Sequence, residues 1–354
     1  MIMDGSGPAR SQETGVSLDA WRRLYALAAQ VRSMEPWKWM EETDIFGVRD
    51  PDGKDVIFVS VMGLLGEYHA VAVYPGARAI GEFWRMQDAV NRERIADLLP
   101  EIHYVHAAFG KKSELGPNEK QLIGQFGLTF KGANAWPRFL SFRPGWFPWT
   151  VDAREARWLT HALEQLLDVA PRVQKDRRLL GQGVPNRRYL IRVGSSEAPP
   201  SVWRDTHETC SAPNTEVRVT VPNETVDAVR AIKPSKLTFE LDVFSSFTAV
   251  GKRGERPQMP FMMMVVEPNS GFILGIELLS VEGPVEDMWV QVPAKFLEMV
   301  KRHRARPASL ALRTPWVFTV MSGLCQDLGI AIKADPELRA LEQARREMDR
   351  FAHR

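Results

Sequence analysis

The chain has 354 residues, 44% hydrophobic and 25% charged, with a formal net charge of +2. That length holds two domains of ordinary size and the composition is that of a globular protein. The near-neutral balance, 21 Lys and Arg against 22 Asp and Glu over residues 1–175 and 25 against 22 in the rest, argues against a dedicated nucleic-acid binder. The longest apolar run, residues 261–266, is six long, far below the roughly 20 of a membrane-spanning helix. No leader pattern opens the chain, so residues 1–16 are expected to be a disordered lead-in. Two cysteines, Cys210 and Cys325, exclude a disulfide framework and suit a cytoplasmic protein.

The first predicted helix covers residues 17–31, with Leu18, Trp21, Leu24, Ala28 and Val31 on one face. Strands are expected at 44–49, 56–62 and 68–74, the first two joined by the turn Asp50-Pro51-Asp52-Gly53. A helix over 77–99, a strand at 103–109, a helix at 118–126 and a short strand at 128–131 follow. Asp152 with Glu155 three residues on gives a capping box for a helix whose apolar face is Leu159, Ala162, Leu163, Leu166 and Ala170. The basic run from Arg172 to Arg178 reads as a solvated helix end.

Charge and glycine near 175–186 mark a linker, which divides the chain into a mixed α/β domain at 17–174 and a second domain at 187–354. The second domain opens with strands at 187–193 and 216–221 and a helix at 224–232. Strands at 236–243, 261–267 and 272–279 come next, then a helix at 293–303. A strand at 309–312, a helix at 315–328, a strand at 329–333 and a helix at 336–351 capped by Asp335 complete it. Residues 286–292 fit either a strand or a helix. Both halves share one order: three strands, helix, strand, helix, strand, helix. That order allows a tandem pair of similar folds.

Two resemblances follow from these residues. Trp136-Pro137-Arg138-Phe139, Arg143-Pro144-Gly145-Trp146-Phe147-Pro148-Trp149, Phe239-Glu240-Leu241-Asp242-Val243-Phe244 and Glu267-Pro268-Asn269-Ser270-Gly271-Phe272-Ile273-Leu274 make the chain similar to a bacterial two-domain family of unknown function. That resemblance brings no activity with it. Residues 236–351 resemble, by element order and a hairpin, the RNase H-like core of integrases and transposases. The fold class expected is therefore mixed α/β, with an RNase H-like second domain.

The resemblance implies two metal ions about 3.5–4 Å apart, held by clustered carboxylates. Asp242 matches the acid of the first strand. The fourth-strand position reads Ala311-Leu312-Arg313-Thr314-Pro315, with arginine where an acid is wanted. Glu337, Glu342 and Glu347 of the last helix fall mostly on its solvated side. Glu240 and Asp242 lie two apart on one strand face, about 6.5–7 Å between Cα atoms. They could share a cation or do acid–base work; the plainer reading makes them, with Thr238, the polar face of a half-buried strand.

The segment 136–149 offers Trp136, Arg138, Arg143, Trp146 and Trp149 as a ligand-binding set, because aromatic faces beside arginine suit stacking. The competing reading is an irregular segment that fills the core. His207 and Cys210 have metal-like spacing but lack a second pair, and His103 and His106 face opposite sides of a strand. The expected function is a non-catalytic binding or interaction protein without cofactor, whose partner is open between protein and nucleic acid. The alternative is a Mg²⁺- or Mn²⁺-dependent nuclease or phosphoryl-transfer enzyme centred on Asp242.

Overall fold

The computed structural model describes residues 15–49, 55–66, 68–88, 101–180, 188–194, 202–211, 217–246, 248–252 and 254–352. The chain divides into two compact units: 1–143, 147–213 and 252–256 in one, and 144–146, 214–251 and 257–354 in the other. The expected lead-in over 1–14, the turn at 50–53 and most of the linker at 181–186 lie outside the described residues.

The first unit is built on a sheet of eight strands: β1 Phe46–Arg49, β2 Val56–Met62, β3 His69–Pro75, β4 Tyr104–Gly110, β5 Trp136–Phe142, β6 Trp149–Thr150, β7 Arg188–Gly194 and β8 Trp203–Thr209. Their order is β6-β5-β4-β3-β2-β1-β7-β8. Every pairing is antiparallel except β1 with β7. Helix α1, Leu18–Met34, starts at Ser17, whose hydroxyl accepts the Ala20 amide. It packs with α4, Ala153–Lys175, over one sheet face through Leu24, Val31, Leu159, Leu163 and Leu166. Helix α2, Gly76–Gln87, covers part of the other face with Ile80, Phe83 and Trp84. Helix α3, Pro117–Gln125, follows β4. The predicted capping box at Asp152 and Glu155 is present.

Three expectations fail here. No strand forms at 128–131; the strand is Trp136–Phe142, which pairs with β4 along its whole length. Residues 217–221 form no strand either, whereas Trp203–Thr209 does. The domain boundary also moves, because β7 and β8 belong to the first sheet. Strand β7 is buried on both faces: Leu190 enters the α1/α4 core, and Tyr189 and Ile191 enter the α2 core. There the Trp84 Nε1 donates to the Tyr189 hydroxyl at 2.7 Å.

The second unit has β9 Thr238–Ser245, β10 Phe261–Glu267, β11 Phe272–Leu279, β12 Ser309–Leu312 and β13 Ala331–Ala334. The order is β11-β10-β9-β12-β13, the first three antiparallel and the last two parallel to β9. Strand order and directions together are those of the RNase H-like fold. The β10–β11 turn is fixed by Glu267, whose carboxylate accepts the Asn269 and Ser270 amides at 3.0 and 2.8 Å, and Gly271 takes φ 68. The remaining helices of this unit are α5 Asn223–Arg230, α6 Val285–Trp289, α7 Gln291–His303, α8 Pro315–Asp327 and α9 Arg339–Ala352. Helices α7 and α8 bury Phe296, Leu297, Val317 and Met321 against Phe239, Leu241 and Val243. On the opposite face α9 lays Leu341 and Ala344 on Phe244, Met264 and Val266. Residues 285–289 resolve the open stretch as helix.

The two sheets share β3-β2-β1-β7 and β11-β10-β9-β12 in order and direction. They differ elsewhere. The counterpart of the fourth strand is β7 rather than the strand at 103–109, which lies beside β3; β4–β6 extend the first sheet; and β8 runs antiparallel where β13 runs parallel.

A fragment ending at residue 186 therefore leaves the β1 edge open and strips Tyr189, Leu190 and Ile191 from two cores, at about 1.5–3 kcal/mol each. We expect it to aggregate, and a fragment ending at residue 213 to be markedly more soluble. Equal solubility by sedimentation would separate β7 from the first domain.

Candidate functional site

Burial on both faces of β9 decides the state of its two acids. Phe239, Leu241 and Val243 point to α7 and α8, so Glu240 and Asp242 point beneath α9. They are 5% and 1% exposed. The expected solvated polar face is therefore absent, because α9 covers it. A buried carboxylate needs a partner of opposite charge or donated hydrogen bonds.

Glu240 finds backbone donors. Its Oε2 accepts the Leu341 amide at 2.7 Å, in the first turn of α9. A carboxylate at a helix N-terminus satisfies an otherwise unpaired N–H and meets the positive end of the helix dipole. Burial pushes the Glu240 carboxyl above its ordinary range, against the pull of the Leu341 and Ala340 amides.

Asp242 finds a side-chain partner. Parallel pairing of β12 with β9 sets Leu312 opposite Leu241, which brings Arg313 and Thr314 beside Asp242. The Arg313 Nε donates to Asp242 Oδ2 at 2.8 Å, Nη2 donates to the same oxygen, and the Thr314 hydroxyl donates to Oδ1 at 2.7 Å. Arg313 Nη1 also donates to Glu342 Oε1 at 2.6 Å. Glu342 is thus turned inward to Arg313, contrary to the solvated placement expected of it, whereas Glu337 pairs with exposed Arg339 and Glu347 accepts from Gln343. Burial pushes the Asp242 carboxyl up, against the pull of Arg313 and Thr314. The Asp242 and Glu342 charges keep Arg313 protonated despite its burial.

One guanidinium thus stands between two carboxylates where metal chemistry would want cations. Among the described residues no group of three or more His, Cys, Asp or Glu is placed to hold a metal ion. His207 lies 3.4 Å from the Leu179 carbonyl, and Cys210 is half-buried with its thiol pushed up by burial and Glu208.

Of the five residues of the aromatic segment, the four in the first unit are spread from the start of β5 to β6. Trp136 packs edge-on against Phe130 at 5.4 Å with the Lys112 ammonium 5.1 Å from its ring centre. Arg138 pairs with Glu119 at 3.3 Å. Arg143 lies seven residues beyond Trp136, about 23 Å along an extended strand, and binds Asp152 and Glu155. Trp149 pairs across β6 with Ser141, and Trp146 belongs to the second unit, bridged to Gln258.

The segment does lead to a polar centre that sequence reasoning missed. Glu155, 1% exposed, accepts from the Ser141 hydroxyl at 2.8 Å, the Asp152 amide at 3.0 Å and Arg143 at 2.7 and 2.9 Å, with His103 Nε2 at 3.4 Å. Arg256 donates to the Ser141 hydroxyl and carbonyl at 3.1 and 2.8 Å. Burial raises the Glu155 carboxyl, but the bonds from His103 and the Asp152 amide, the Arg143 charge and the Ser141 hydroxyl outweigh it and hold the carboxyl at about 2. Burial beside Arg143 lowers Arg256 to about 10. Only the capping box marks this centre in the sequence.

Two outcomes are expected. Arg313→Met strands a buried carboxylate and costs about 3–5 kcal/mol. Asp242→Leu/Arg313→Met removes both charges and recovers at least about 1 kcal/mol of that in urea denaturation; no recovery would deny the coupling. Glu155, depressed on folding, stabilises above the ordinary carboxylate range and loses that contribution as pH falls from about 4.5 toward 2. Wild type should exceed Glu155→Gln by about 3 kcal/mol at neutral pH, with the gap closing in acid; a gap independent of pH would contradict the assignment.

Residues 21–192 match the model of a domain of unknown function, DUF7309, and residues 226–349 match that of a second, DUF6930. No curated protein matches the chain. Among solved structures the chain is similar to the catalytic core domain of BIV integrase, at 22% identity and a TM-score of 0.25, covering 34% of this chain and 71% of that one. It is also similar to a chain of the simian T-cell lymphotropic virus intasome in complex with PP2A regulatory subunit B56 gamma, at 12% identity and a TM-score of 0.24, covering 38% and 41%. The RNase H-like character of the second unit rests on its own strand order, and the chain carries two family-model domains of unknown function, the second of them spanning this RNase H-like unit.

Proposed function

We propose that the protein is a non-catalytic binding or interaction protein whose RNase H-like unit has its acid site closed by its own arginine. The observation that carries this is Arg313. Its guanidinium, 6% exposed, binds Asp242 and Glu342 together. Both Asp242 oxygens are engaged, one by Arg313 and one by Thr314, and Glu240 is spent on the first turn of α9. Two-metal phosphoryl transfer needs carboxylate lone pairs directed at cations, and in this arrangement they are directed at the protein. Fold similarity does not supply the missing groups. The reading takes no Mg²⁺ or Mn²⁺ and leaves protein and nucleic acid as partner classes.

The test is incubation of labelled single- and double-stranded DNA and RNA with the protein and Mg²⁺ or Mn²⁺, beside Asp242→Asn. We expect no cleavage above background from either. Metal-dependent cutting by wild type that is lost in Asp242→Asn would overturn the reading and install the nuclease alternative.

A further inference from the structure

Two helices of the second unit end side by side in basic residues. Helix α7 closes on Lys301-Arg302-His303, and the chain continues through Arg304 to Arg306; α5 closes on Arg230 and continues to Lys233 and Lys236. The two tails are tied together. Pro234 bridges Arg306, the Ser235 amide donates to the Arg306 carbonyl at 2.9 Å, and Arg306 Nη1 donates to the Arg230 carbonyl at 2.7 Å. Lys233, Lys236, Lys301, Arg302 and Arg304 are exposed. Asp227 pairs with Arg230, but among the described residues none of Lys233, Lys236, Lys301, Arg302, Arg304 and Arg306 joins an ion pair.

The fold explains only part of this. A cation in the last turn of a helix meets the negative end of its dipole, which accounts for one or two charges. Six uncompensated cations gathered at one end repel one another within a Debye length of about 8 Å. Arg304 sharpens the point. It caps α7 in the left-handed region, φ 49 and ψ 37, where glycine or asparagine is the ordinary occupant. The chain bears that backbone strain for a side chain that no described group engages.

An aromatic platform lies next to it. Phe272, 54% exposed, meets the His303 ring edge-on at 5.6 Å, and His303 Nε2 is held by the Leu274 carbonyl at 2.7 Å. We propose that this end of the second unit binds single-stranded nucleic acid, its phosphates on the Arg/Lys cluster and a base stacked on Phe272. Guanidinium forks match phosphate oxygens, and an exposed ring beside a cationic track is the recurring arrangement for strands without base pairing. A membrane surface fits less well: stable attachment needs a second, apolar signal, and the exposed Ile273, Ile276 and Leu278 of β11 stand opposite Val266, Met264 and Met262 on the α9 face of the sheet, not on the α7 face where Phe272 meets His303. The cluster lies at the N-terminal ends of β9 and β12, with Lys236 about 20 Å along the strand from Asp242.

This extends the non-catalytic reading by naming a ligand, and it fails separately, because binding is measured in EDTA and cleavage only with metal. The experiment is fluorescence anisotropy of a labelled oligodeoxythymidylate of about twenty nucleotides with the full chain at several salt concentrations. Three variants accompany wild type: Lys301→Glu/Arg302→Glu/Arg304→Glu, the charge-matched Lys120→Glu/Lys131→Glu/Lys175→Glu, and Phe272→Ala. The first should weaken binding at least about tenfold and flatten the log–log salt slope by about two. The second should leave the slope unchanged, and Phe272→Ala should lose about five- to a hundredfold. Arg304→Gly guards against misfolding: it should raise the melting temperature and still weaken binding, which a structural arginine would not do. No binding by wild type at low salt, equal loss in the two charge-matched triples, or binding only to phosphatidylserine vesicles would each overturn the proposal.

Discussion

The second unit is organised by the need to neutralise carboxylates that α9 buries. Once α9 packs Leu341 and Ala344 on the sheet, Glu240 and Asp242 lose water, and a bare buried carboxylate is not tolerable. Parallel register delivers Arg313 to Asp242, and the start of α9 delivers amides to Glu240. The same helix contributes Glu342 to the guanidinium. Helix placement, strand register and charge balance are thus one constraint. Any cation entering such an arrangement would have to displace a covalently tethered one.

The first unit solves the same problem differently. Glu155 is buried at the start of a helix, where the cap amide, Arg143 and the Ser141 hydroxyl converge on it, and Arg256 donates in turn to that hydroxyl. Arg192, buried on β7, is likewise held by Gln165, Asp168 and Asp205. Buried ion pairs of this kind contribute little net stability compared with apolar packing, but removing one partner is expensive. They hold the long helix α4 and strand β7 in one register.

Much of the fold was legible because periodicity and caps act locally. The strand at 56–62, the helix starts at Ser17 and Asp152 and the RNase H-like order of the last 120 or so residues all follow from apolar runs, periodicity and end chemistry. What was illegible depends on partners distant in sequence. The segment 136–149 reads as irregular because of its prolines and tryptophans, yet Trp136–Phe142 is a strand in which the neighbours of Pro137 on β4 still complete the ladder. Strand β8 is mostly exposed and so has no hydrophobic signature. Strand β7 is legible as a strand, but its adjacency in sequence to the second domain says nothing about its pairing with β1. At the candidate site, Asp242 and the arginine at 313 were visible in the sequence, and only the register showed that one neutralises the other.

Whole-chain charge misled in a related way. A net charge of +2 constrains the far field of the protein, but a ligand at contact distance responds to charges within a Debye length. Many of the described cations of the first unit are consumed by acids at close range: Arg143 by Glu155, Arg177 by Glu41 and Asp44, Arg172 by Asp168 and Asp205. In the run from Arg172 to Arg178, the basic stretch that sequence reading singles out, all three arginines are therefore paired. Among the described residues, the stretch from Lys301 to Arg306 forms no ion pair. Sequence reading singles out the first run and passes over the second, and only pairing separates a cation that holds the fold from one left to meet something outside it.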